Sequence, residues 1–136
     1  MARHVNTGAC PKCLEIISKY PGFDSSLADW FKSFQLVNRD SHISCAGRGK
    51  VEQEADFDKD VSDAHWTESP HNYNGALDFF RLTQAGGAIF DRPWYLAVLA
   101  PAAKKAGFVW GGDWIHRKDY PHVEIVDFKK NGKLVE

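Results

Sequence analysis

The stretch Ser69-Pro-His-Asn-Tyr-Asn-Gly-Ala-Leu-Asp78 decides how this chain is read. It carries two metal-ligand residue types, His71 and Asp78, on either side of an Asn74-Gly75 pair. On a continuous helix the two would stand roughly 10 Å apart along the axis. On one extended strand they would be ~23 Å apart and on opposite faces. Neither arrangement brings both donors to ~2.0–2.2 Å from one ion, so the chain has to fold back between them. Asn-Gly permits this, because a two-residue primed turn needs positive φ at both central positions. The spacing predicts a hairpin closed at Asn74-Gly75, pairing Tyr73 with Ala76, Asn72 with Leu77 and His71 with Asp78. Directly opposite partners have Cβ atoms ~4.5–5.5 Å apart, which suits two ligands of one metal. An ordinary hairpin carrying a polar pair is the plain alternative.

A second cluster lies downstream. Asp119-Tyr-Pro-His122 follows a Gly111-Gly112-Asp-Trp114 loop and opens the last good strand pattern. His122 offers a third ligand, and Asp119, three residues earlier on an irregular segment, can face the fourth position. Three protein ligands plus a water is the catalytic pattern for zinc. Two neutral imidazoles and one carboxylate leave the metal with positive character to polarise a carbonyl. The same donor set can hold iron.

The surrounding pattern reads as α+β. Pro11 to Tyr20 is a short helix stopped by Pro21-Gly22, and Asp24 or Ser25 caps a second through Val37. Leu27, Trp30, Phe31, Phe34 and Val37 give the latter one buried face. His42–Ala46 is a strand, Val51–Asp60 a helix and Ala76–Leu82 a strand. Pro93 opens a helix toward Ala106 that Gly107 stops and Pro101 kinks or divides. Phe108–Trp110 and His122–Phe128 are the last strands, with Asn131-Gly132 a hairpin signal. The expected architecture is a single domain over residues 1–136, N-terminal helices packed on one side of a small antiparallel sheet that carries the metal site.

Composition agrees with one globular domain: 136 residues, 43% hydrophobic and 26% charged. Seventeen basic against eighteen acidic side chains leave no basic excess for nucleic-acid binding. The longest apolar run, Tyr95 to Ala103, is far short of the ~20 residues of a membrane span. The start, MARHVNTGACPKC, has no apolar stretch of a signal peptide, so synthesis in the cytoplasm is expected. Three cysteines do not make a disulfide framework.

These residues resemble the zinc peptidases of the D-alanyl-D-alanine carboxypeptidase group, within which phage L-alanyl-D-glutamate endolysins form a branch. That family carries Ser-x-His-x-x-Gly-x-Ala-x-Asp, then Gly-Gly-Asp-Trp, then Asp-x-x-His. Ser69, His71, Ala76 and Asp78 fall on the first motif, Gly111 to Trp114 on the second, Asp119 and His122 on the third. The resemblance spans about Ser44 to Glu124. It implies His71, Asp78 and His122 as ligands of one catalytic zinc and Asp119 as general base. Ser44-Cys-Ala-Gly-Arg48, followed by Gln53, resembles the stretch with a substrate-binding arginine. Arg48 is then implied to stabilise an oxyanion, and Gln53, Ser69 and Trp114 to bind substrate. One departure is that Asn74 stands where the family has glycine, with Gly75 one residue later. Asn tolerates positive φ better than other non-glycine residues, so the turn is retained.

By this resemblance the chain is a peptidase of peptidoglycan stem peptides, an L-alanyl-D-glutamate endopeptidase of the phage endolysin type, monomeric and acting on the cell wall once released. Asp-x-x-His rather than Glu-x-x-His leans that way by family analogy. The alternatives are a D-alanyl-D-alanine carboxypeptidase, or a binding module that keeps the zinc fold without turnover, as the related hedgehog signalling domains do. Other residues have plainer readings. Cys10-Pro-Lys-Cys13 has zinc-knuckle spacing, but only Cys45 and histidines such as His4 or His42 could complete a site, so packing thiols at a helix start is the default. His42 reads as a core or cleft histidine, His65 as surface and His116 as a cleft residue. Glu124 shares the strand face of His122 and can support it from behind.

Overall fold

A computed structural model describes residues 10–135. The chain begins with α1 (Pro11–Ser18) and α2 (Ser25–Val37). Asp24 caps α2 by accepting from the Leu27 amide at 2.9 Å, and Pro11 sits where a helix start needs no N–H. Strand β1 (Ser41–Cys45) and α3 (Lys50–Asp58) follow, then β2 (Ala76–Leu82) and the short β3 (Ala88–Ile89). A helical stretch comes next as α4 (Arg92–Trp94), a π-helical turn Tyr95–Leu99 and α5 (Ala100–Lys105). Pro101, which has no N–H to give, lies just past this widened turn, so the helix is divided as expected. Strands β4 (Val109–Trp110) and β5 (His122–Glu124) and helix α6 (Phe128–Asn131) complete the chain.

The sheet is antiparallel in the order β1-β2-β5-β4, with β3 on the far end of β2. Period-two alternation sends Leu77 and Phe79 of β2 into the core and Asp78 to the opposite face. Phe79 is the hub, with the rings of Trp30, Phe31 and Phe34 of α2 at 5.8–5.9 Å. Tyr95 and Leu99 join this cluster, and the Tyr95 hydroxyl donates to the Phe79 carbonyl at 2.8 Å. Among the described residues no helix is long and apolar enough to cross a membrane.

Three expectations fail. The Asn74-Gly75 hairpin does not form; Pro70–Tyr73 is a 3-10 turn instead. Ser69 caps it, accepting from the His71 amide at 3.2 Å while Asn72 accepts from the Ser69 amide, and Pro70 supplies a helical φ. Asn74 alone takes the left-handed conformation (φ 55°). Gly75 is needed for space, because a Cβ there would stand 2.8 Å from Ile125 Cγ1. Strand β5 stops at Glu124 rather than reaching Phe128, because Asp127 turns left-handed (φ 51°) and starts α6. Asn131-Gly132 ends α6 and makes no hairpin; Gly132 lies there because a Cβ would crowd the Tyr73 and Phe128 carbonyls.

Candidate active site

Register assembles the site. Asp78 stands opposite Cys45 on one side and His122 on the other, so these side chains share the face of the sheet away from Phe79. A β-bulge between Ile43 and Cys45 re-aims the end of β1. The 3-10 turn then delivers His71, which the failed hairpin was meant to do. His71 Nε2 lies 3.2 Å from Asp78 Oδ2, and His122 Nδ1 lies 3.2 Å from Asp78 Oδ1.

The outer nitrogens of both rings are anchored. His71 Nδ1 lies 2.6 Å from the Ala46 carbonyl, which requires the proton on that nitrogen and leaves the Nε2 lone pair facing the site. His71 Nε2 is buried with Asp78 Oδ2 as its neighbour at 3.2 Å. His122 Nε2 lies 2.7 Å from Glu124 Oε1, so its Nδ1 faces inward. Two inward nitrogens converge on a single carboxylate. Among the described residues the donors at this site fall into two groups that share Asp78, one of Cys45, His71 and Asp78 and one of Asp78, Asp119 and His122, and this chemistry fits a divalent metal held by His71, Asp78 and His122.

Electrostatics follow from the same contacts. Burial raises the Asp78 carboxyl, but His71 and His122 outweigh it and hold the group well below the usual carboxylate range. Burial opposes the charged His71 ring, yet Asp78 and Cys45 raise its pKa well above an ordinary histidine. Asp119, 45% exposed, has an oxygen 4.0 Å from His122 Nδ1. Burial, then the nearby Asp78 charge, raises its pKa.

Arg48 reaches the site from the segment between β1 and α3, with Nη2 3.8 Å from Asp78 Oδ2. Asp56 holds its Nε at 3.3 Å and Gln53 accepts from Nη1 at 3.2 Å. Gln53 itself is fully buried and does not enter the groove. Its amide donates to Ser62 and the Ala64 carbonyl, and its oxygen also accepts from Asn72. Ser69 lines the groove but spends its hydroxyl on capping. Trp114 packs on His122 at 4.9 Å between ring centroids. The groove has a volume of about 590 Å³, with Arg48, His71, Asp78, Trp114, Asp119 and His122 in its wall and His116 beside them. His65 is on the surface, stacked on Phe57 and 3.0 Å from Glu54. Asp56 and Asn72 escaped sequence reasoning. Asp56 carries no local signal, whereas Asn72 was legible as the third residue after a Ser-Pro cap.

An α+β domain with a His-Asp-His donor set on the open face of its sheet, and a further carboxylate beside it, has the parts of a hydrolytic metal site. Residues 63–125 match the model of a family described as D-alanyl-D-alanine carboxypeptidase. The chain is 33% identical over 114 residues to the peptidoglycan L-alanyl-D-glutamate endopeptidase CwlK of Bacillus subtilis (strain 168), covering 77% of this chain and 62% of that protein. Its fold is similar to the crystal structure of the Serratia marcescens L-Ala D-Glu endopeptidase ChiX, with a TM-score of 0.68 and 21% identity over 89% of this chain and 90% of that one. Over residues 63–125 the chain is similar to the D-alanyl-D-alanine carboxypeptidase family, and it spans about three fifths of the length of the curated relative it matches. The matched segment contains His71, Asp78, Asp119 and His122, while Arg48 and Gln53 lie ahead of it.

Proposed function

We propose that this chain is a zinc peptidase that hydrolyses peptidoglycan stem peptides at the L-alanyl-D-glutamate bond. The observation that carries the reading is the convergence of His71 Nε2 and His122 Nδ1 on the Asp78 carboxylate in the wall of an open groove. The similarity to CwlK supports the choice of bond. His71, Asp78 and His122 would hold the zinc, which would supply Lewis acidity and a more acidic water. Asp119 takes the proton from the attacking water and passes it to the leaving amine. Arg48, fixed by Asp56 and Gln53, holds positive charge where the carbonyl oxygen becomes an oxyanion. Gln53 thus positions Arg48, and Trp114 backs His122 on the groove wall. Ser69 acts indirectly, by fixing the turn that presents His71.

The test is mass spectrometry of purified peptidoglycan fragments incubated with the zinc-loaded chain, alongside chelated and Asp119→Ala samples. Cleavage after L-alanine, absent from both controls while Asp119→Ala retains its zinc, is expected. Loss of only a terminal D-alanine would assign carboxypeptidase activity. Undiminished turnover by Asp119→Ala would remove Asp119 from the role of base.

A further inference from the structure

Helix α1 is a weak element on its own terms. It has eight residues, no side-chain hydrogen bond at its N-cap, and Cys13 as its one buried residue. Isolated helices of this length do not persist in water. Yet its start is drawn against β1, the edge strand of the sheet. Cys10, Cys13 and His42 meet there with relative exposures of 4%, 2% and 5%. Their ligand atoms all lie within 4.8 Å of one another, and Cys13 Sγ is 3.5 Å from His42 Nδ1.

The Cys13–His42 distance is the one a metal would impose. Zinc bonds of about 2.3 Å to sulfur and about 2.0–2.1 Å to nitrogen set tetrahedral S···N edges near ~3.6 Å and S···S edges near ~3.8 Å. The Cys-x-x-Cys spacing explains how one helix start provides two of the donors: Cys10 is the N-cap and Cys13 the third helical residue. The surroundings match as well. Burial pushes the free Cys13 thiol up to about 12, and the Ile43 backbone and the Gln35 amide nitrogen, the latter 3.9 Å from the sulfur, favour the thiolate against it. Gln35 is locked by the Cys10 amide at 2.5 Å and the Ser41 carbonyl at 2.7 Å. Donors aimed at a sulfur, themselves held in place, are what surrounds a ligating thiolate.

We propose that Cys10, Cys13 and His42 form a second metal site, a zinc site of two thiolates and one imidazole that staples α1 to β1. None of these three residues lines the catalytic groove, and the cluster shares no residue with the His71-Asp78-His122 set. Soft sulfur donors select zinc over the hard cations. Such a site is structural: its binding energy adds to folding. A fourth position remains for a further donor; His4, considered above, lies outside the described residues.

The chelator-stripped full chain should be titrated with cobalt(II) while recording thiolate-to-cobalt charge transfer, with zinc content of the holo-protein measured by plasma mass spectrometry. Wild type should develop the charge-transfer band and hold about two zinc ions per chain. Cys45→Ser, which removes the thiol nearest the groove ligands, should keep the band. Asp78→Asn with His122→Ala should keep it too, so loss of the groove metal is read separately. Cys10→Ser with Cys13→Ser should abolish the band and lower zinc to about one per chain. A wild-type chain with no thiolate band overturns the proposal without needing any variant to fold. So does a band that disappears in Cys45→Ser but survives in Cys13→Ser, or a Cys10–Cys13 disulfide in the protein as purified under reducing conditions.

Discussion

Replacing Gly111 by alanine should damage the active site without touching any ligand. Gly111 follows β4, and its carbonyl accepts from the Asp119 amide at 3.0 Å, tying the two segments together. A Cβ at Gly111 would stand 2.9 Å from His122 Cβ and 3.2 Å from Asp119 Cβ, and closer still to the Asp119 carbonyl oxygen. Ordinary carbon contacts are about 3.5–4.0 Å, so the Asp119–His122 turn has to retreat by roughly 0.6–1 Å. The crowding partners are backbone and Cβ atoms, which have no rotamer to escape into. Overpacking of this kind costs about 1–3 kcal/mol, a fall in Tm of about 3–12 °C for a domain of this size. A displacement near ~1 Å of a base and a ligand costs on the order of 10²-fold in turnover. Thermal melts and release of cleaved stem-peptide fragments, each on zinc-loaded protein, read the two effects. Gly87→Ala is the matched control, since its Cβ would meet only Thr83 Oγ1 at 3.5 Å. If Gly111→Ala melts and turns over like wild type, the close approach of these segments does not hold the site.

Glu124→Gln weakens the charge-assisted contact to His122 Nε2 and should reduce zinc affinity about 10–100-fold in a competition titration. Asp24→Ala removes the cap of α2 and should lower stability by about 0.5–2 kcal/mol in denaturant melts, with zinc content unchanged. The metal-free chain should lose stability as pH rises above neutrality. Burial opposes the charged forms of His71 and His122, but Asp78 outweighs it in both, and both folded pKa values are raised. A raised histidine contributes fully below its unfolded pKa of about 6.5 and loses that contribution as pH passes the folded value. Zinc requires the same rings neutral, so the stabilisation it adds should grow over that range. Melts from about pH 6 to pH 8.5 with and without chelator test this, and parallel slopes would contradict it.

Most of the sheet was legible because β2 is half-buried and alternates cleanly, with Leu77 and Phe79 inward and Asp78 outward. The candidate ligands His71, Asp78 and His122 were legible as residue types at motif spacing, but the way they meet was not. Asn74-Gly75 carries a strong hairpin signal, yet Ser69 and Pro70 upstream impose a helical turn, and a cap with proline prevailed over a turn dipeptide. Asn131-Gly132 misled for a different reason. Gly132 is selected by crowding against Tyr73 and Phe128, contacts that no local window contains. The Arg48–Asp56–Gln53 arrangement and the meeting of Cys13 with His42 depend on where α3 and α1 lie in three dimensions, which hydrophobic periodicity leaves open.

The chemistry depends on register more tightly than on fold. Asp78 works because it stands opposite His122, two residues away from Glu124 across the same ladder. A one-residue slip of β2 would turn Asp78 into the core and expose Phe79. Phe79 prevents this, since its ring is caught among three aromatic rings of α2 and its carbonyl is held by Tyr95. The helical face of the sheet therefore fixes which residues reach the groove face. Helix α2 packs on Phe79 and so holds β2 with Asp78 on the groove face, while the β2–β5 ladder sets the spacing between Asp78 and His122. The staple at Cys10, Cys13 and His42 acts on the same ladder from the other edge, because His42 pairs with Phe80, two residues from Asp78. Aromatic packing from one side and a metal-held edge strand from the other would pin β2 along its length.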